Sequence, residues 1–90
     1  MKISEDKKNK ISEQILALLY SEHPKPLFTS WIAGELARDE EFIKKLLLNL
    51  KSKKMVSEVK KNPKGNIYSR RSRWIITDNV YLTYKRLNHT

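Results

Sequence analysis

Residues 39–60 read DEEFIKKLLLNLKSKKMVSEVK, and the hydrophobic period changes within them. Up to Lys53 the apolar residues Ile43, Leu46, Leu47 and Leu50 recur three and four apart, which is the inner stripe of an amphipathic helix. Phe42 joins that stripe at its margin, and Asp39 is a good N-cap for the helix. After Lys53-Lys54, the residues Met55, Ser57 and Val59 alternate with Val56, Glu58 and Lys60, the period of a half-buried strand. A helix of about residues 40–53 therefore runs into a strand through a short basic turn.

Working outward, the amino-terminal side predicts two more helices. From about Glu5 to Glu22, Ile11, Ile15, Leu18 and Leu19 fall at i, i+4, i+7 and i+8. Ser4 is the expected N-cap, and His23-Pro24-Lys25-Pro26 ends the helix because proline cannot continue the ladder. Leu27-Phe28 is a short extended piece. Thr29 or Ser30 is then expected to cap a helix through Ala37, with Trp31, Ile32 and Leu36 as its apolar residues, before a tight connection at Arg38-Asp39. On the carboxyl side, Asn62-Pro63-Lys64-Gly65 has turn chemistry. A second strand ends in Trp74-Ile75-Ile76. Thr77 is expected to cap a last helix from Asp78 to about Leu87, with Val80, Tyr81, Tyr84 and Leu87 on one side. Trp31 and Trp74 both lie in apolar neighbourhoods and are expected in the core.

Charge is gathered on part of this layout. The chain of 90 residues carries a net +9, and residues 51–73 hold nine cations against the single acid Glu58, a net +8. Such a concentration makes a local field suited to a polyanion, where phosphate contacts gain affinity by releasing condensed counterions. Strand alternation sets Arg71 and Arg73 on one face of the returning strand and Arg70 on the other, unless a bulge intervenes. Tyr68, beside Arg70, fits either a stacking role or simple cover for the hairpin.

Other function classes lack their residues. There is no cysteine, so neither a disulfide framework nor a thiolate metal site is available. His23 stands beside proline at a helix end and His89 near the terminus, with no paired carboxylate or nucleophile in the pattern. The two glycines, Gly34 and Gly65, make no phosphate-binding loop, and no spacing suits a metal or other cofactor. The longest apolar run, Ile15 to Tyr20, is too short to span a bilayer, and no small-molecule ligand is evident. The expectation is a single domain over residues 1–90, frayed at 1–4 and 89–90, that is not an enzyme and resides in the cytoplasm with the nucleoid.

The order helix, short strand, helix, helix, strand, strand, helix resembles the winged helix-turn-helix family of small archaeal and bacterial transcription regulators. Residues Phe28 to Ala37 are similar to the first helix of the helix-turn-helix pair, and Phe42 to Val56 to the recognition helix and its exit. Trp74-Ile75-Ile76-Thr77-Asp78-Asn79 resembles the step from the second wing strand into the last helix. The resemblance covers about Ile11 to Leu87. It implies an α+β fold with a three-helix core, a two-stranded wing hairpin (about 56–76) and a C-terminal helix. It also implies double-stranded DNA as partner, contacted by Lys44 and Lys45 of the recognition helix and by Lys60, Lys61, Lys64, Arg70, Arg71 and Arg73 of the wing. Relatives often dimerise through their first and last helices, which here offers Tyr81, Leu82, Tyr84 and Leu87 to a second copy.

Two departures from the family pattern stand out. Lys54 and Asn79 occupy positions where glycine is usual. Lysine tolerates the left-handed conformation less readily than asparagine, so the Lys53-Lys54 turn is expected to be built differently. Asp39-Glu40-Glu41 suit a helix N-terminus through its dipole but would repel phosphate in a groove. Base reading is thus left to Lys44, Lys45 and Leu48, with Glu41 able to accept from a cytosine. Two functions stay open: a DNA-binding regulator, or a protein-docking module of a transcription or replication assembly. RNA binding is a third.

Overall fold

The computed structural model describes residues 5–59 and 72–88. Its elements are α1 (Glu5–Glu22), β1 (Leu27–Phe28), α2 (Thr29–Leu36), α3 (Glu40–Ser52), β2 (Val56–Val59), β3 (Arg73–Ile76) and α4 (Asp78–Asn88). The three strands form one antiparallel sheet in the order β1-β3-β2. Register pairs Leu27 with Trp74 on one side of β3 and Glu58 with Trp74 on the other. The Ser4 cap and the turn at residues 62–65 lie outside the described residues.

The expected stripes meet in one core. Ile43, Leu46, Leu47 and Leu50 of α3 are all buried, as are Ile32 and Ala33 of α2. From α1 the buried set is Ile11, Ile15, Leu16 and Leu19, so Leu16 takes an inner place and Leu18 is only partly covered. The sheet closes the core with Leu27, Val56, Trp74 and Ile76, while Ser57 faces solvent. That alternation is what a sheet with one covered face requires.

The start of α2 differs from expectation. Phe28 holds the N-cap position, with φ −69° and ψ 147°, and no side chain caps the helix there. Thr29 is buried instead, and its hydroxyl is turned inward. It accepts a hydrogen bond from Trp74 Nε1 at 2.7 Å and donates to the Ser72 carbonyl at 3.4 Å. The Thr29 backbone N–H reaches the same carbonyl at 3.3 Å. The physical reason lies in relative cost: a helix-end N–H has other ways to be satisfied, whereas a fully buried indole N–H without an acceptor carries its whole desolvation penalty.

Both helices of the central pair end in the same hydrogen-bonded form. At the end of α2, Arg38 N–H donates to the Ala33 carbonyl at 2.9 Å and Ala37 N–H to Gly34 at 3.2 Å, with Ala37 left-handed at φ 52°, ψ 48°. At the end of α3, Met55 N–H donates to Leu50 and Lys54 N–H to Lys51, each at 2.9 Å, with Lys54 at φ 61°. These are Schellman endings, in which glycine is the usual left-handed residue. The Lys53-Lys54 turn is thus built as the glycine-containing turn is, contrary to the expectation from Lys54. Thr77 precedes α4, but its hydroxyl donates back to the Lys54 and Met55 carbonyls at 3.1 and 3.2 Å and so fastens the α3–β2 turn to β3.

Two stability effects follow. Ala37→Gly removes a left-handed alanine whose strain is about 1–2 kcal/mol, against about 0.4–1 kcal/mol of added chain entropy in the unfolded state. A net gain of roughly 0.5–1 kcal/mol is expected in urea unfolding. Thr29→Val leaves the Trp74 indole N–H buried without its acceptor and should cost about 1–3 kcal/mol in the same measurement, with little change in far-UV circular dichroism.

Candidate nucleic-acid interface

Because α3 turns Ile43, Leu46, Leu47 and Leu50 inward, its 3.6-residue period leaves Glu41, Lys44, Lys45 and Leu48 outside. Leu48 is 44% exposed, which is a large apolar area for a surface position. At the helix start the Asp39 carboxylate accepts from the Phe42 N–H at 3.1 Å and is committed as the cap. Glu40 and Glu41 stand exposed in the first turn, where the helix dipole favours them. Along one outer face the charge therefore runs from carboxylates at the start to two ammonium groups in the middle.

β2 and β3 carry the base of the wing. Lys60, Lys61, Lys64, Tyr68, Arg70 and Arg71 lie outside the described residues. Arg73 is described, and it is half-buried rather than projecting freely: its guanidinium carbon stands 5.9 Å from the Phe28 ring centroid, across the β1–β3 pair. Arg73 also lines an open depression of about 300 Å³ with Lys25, Pro26, Leu27, Phe28 and Trp31. Trp31 is 40% exposed and not in the core. In so short a helix, Ile32 and Ala33 occupy the inner face, and their neighbour one position earlier is carried round to the outside. An apolar neighbourhood in sequence could not distinguish these two placements.

At the far end, α4 rests on α1 through aromatic rings. Tyr20 lies 5.3 Å from Tyr81 and 5.6 Å from Tyr84, and the His23 ring stacks on Tyr81 at 4.0 Å. Burial, with a smaller contribution from the Glu13 carboxylate, raises the Tyr84 phenol above its usual 10.0. No residue of α4 is fully buried, and Leu82 and Leu87 are 54% and 69% exposed. Among the described residues, no three His, Asp or Glu side chains gather as metal ligands, and no helix is long and apolar enough to cross a membrane.

No family model matches the chain, and no curated protein matches it in sequence. Solved structures do match in shape. The S. aureus MepR–DNA complex superposes with a TM-score of 0.72 at 22% identity, covering 91% of this chain and 68% of that one. An apo form of Lactococcus lactis ZitR gives 0.70 at 18% identity, covering 91% and 57%. Another ZitR structure, described as a zinc-responsive MarR family member, gives 0.66 at 20%, covering 94% and 51%. This chain thus spans a little over half the length of most of these structures. With α2 and α3 as the helix pair and β2 and β3 as the wing strands, the fold is that of a winged helix-turn-helix.

Proposed function

We propose that this chain binds double-stranded DNA and acts as a transcription regulator at the nucleoid, without enzymatic activity. The observation that carries this function is the net +8 of residues 51–73, the segment that leaves α3 and builds the wing of a winged helix-turn-helix. The exposed Lys44 and Lys45 on the adjoining helix face supply a second set of cations. A structural neighbour solved in complex with DNA supports the same function. In this scheme the middle of α3 lies against the major groove and reads bases through Lys44, Lys45 and the Leu48 side chain. The wing holds phosphates through Lys60, Lys61, Lys64, Arg70 and Arg71, with Arg73 packed at its base. The carboxylates at the α3 start keep that end from seating deeply in the groove.

A second copy completes the arrangement. Leu82 and Leu87 expose apolar area next to the half-covered Tyr81 and Tyr84, and pairing of two chains through α1 and α4 would cover it. Two wings would then meet the duplex about one helical turn apart, ~34 Å. Sedimentation should report twice the monomer mass for the purified chain, and Leu87→Glu should return it to a monomer. A monomeric parent, with and without DNA, would rule this out.

The wing is tested by Arg70→Ala combined with Arg71→Ala. Duplex affinity should fall at least about tenfold, and the slope of log K against log salt should shrink by roughly 1.8, two phosphate contacts at about 0.9 each. Alanine at both Lys44 and Lys45 should change preference among sequences more than overall affinity. If the arginine variant binds as tightly as the parent with unchanged salt dependence, the wing is not the grip. Docking of a protein partner on Leu48 and the acidic start of α3 then becomes the better account.

A further inference from the structure

Glu58 is the single acid among residues 51–73, and its side chain is only 7% exposed. One carboxylate oxygen accepts from Lys51 Nζ at 3.0 Å, and the other accepts from the Ser72 hydroxyl. The Ser72 carbonyl in turn receives both donors of Thr29, at the first residue of α2. The last turn of α3, the middle of β2, the residue before β3 and the start of α2 therefore converge on one polar node. It lies where the described β2–β3 ladder ends, since Glu58 is opposite Trp74 and the final pair is Val59 with Arg73.

We infer that Glu58 is a positioning residue for DNA binding, which fixes the wing at one angle to α3 by holding Lys51 and Ser72. This rests on the DNA-binding function proposed above. Contacts from α3 and from the wing can form together only if the two are held at a suitable angle. A wing free to swing would have to be ordered during binding, at the expense of affinity. Lys51 stands at the end of a helix, in a run of cations, where a phosphate contact would be the simple assignment. Its ammonium group is instead engaged by Glu58 across seven residues of sequence.

For Glu58, electrostatics alone makes the opposite prediction, which gives the test its power. A carboxylate amid cations repels phosphate, so removing its charge should tighten DNA binding, and removing Lys51 should weaken it. The positioning role requires both to weaken binding. Fluorescence anisotropy on a mixed-sequence duplex, across a salt series, compares the parent with Glu58→Gln, Lys51→Met and the double variant, with melting temperatures measured alongside. Glu58→Gln should lose about two- to tenfold in affinity although the net charge rises by one. Lys51→Met should lose a similar factor with an unchanged salt slope, and the double variant should be no worse than either single one.

Equal or tighter binding by Glu58→Gln would overturn the inference. So would a fall of about 0.9 in the salt slope for Lys51→Met, which would make Lys51 a phosphate contact. Should Glu58→Gln unfold, the exposed Lys51→Met variant decides alone by its slope. A parent that binds no duplex removes the proposed function and this inference together. A parent that binds, with variants of opposite sign, removes the inference only.

Discussion

The structure depends on satisfying one buried indole. Trp74 is the largest side chain in the core with no exposure, and its ring N–H must find an acceptor inside the protein. Thr29 provides it at 2.7 Å, which draws the first turn of α2 against the central strand. The Leu27–Trp74 register then holds β1 at the sheet edge, and the Ser72 carbonyl completes the chain of donors and acceptors. Helix pair and wing are thereby referred to a common point in the sheet. A smaller apolar residue at position 74 would fill less of the core and leave α2 and the wing without this shared anchor.

Charge and fold divide the surface in different ways. Glu40 and Glu41 suit the start of α3 as a helix, and Lys51 suits its end, so the dipole is complemented at both termini. Those same placements are unhelpful for a phosphate backbone at the start and neutralised by Glu58 at the end. The exposed cations that remain among the described residues of this region are Lys44 and Lys45 in the middle of α3, and Lys53 and Lys54 in the turn that follows it. The net charge of the segment therefore does not tell how its cations are placed along α3.

Most of the architecture was legible in the residues themselves. The change from a period of 3.6 to a period of 2 after Lys53 located the α3–β2 boundary, and the α3 stripe is buried as expected. Three features were not legible. Thr29 looks like a cap because local chemistry favours it there, and only the position of Trp74, 45 residues later, turns it inward. Trp31 looks like core because a short helix gives too few turns to resolve its facing. Lys51 looks like a free cation because its partner is seven residues away across a turn. For the candidate site, composition identified the basic segment, but the packing of Arg73 over Phe28 depends on strand pairing that no local pattern encodes.

The aromatic seat of α4 has a mechanical consequence. A helix with no fully buried residue, packed on the core only through the partly covered Val80, Tyr81 and Tyr84, shares less of the domain's cooperative stability than α3 does. Its amides should exchange with solvent through local opening, well before those of α3 and β3. Among the described elements, α4 is thus the one fixed by no fully buried side chain. If two copies pair as proposed, their relative orientation would be set by whatever covers Leu82 and Leu87 rather than by the core.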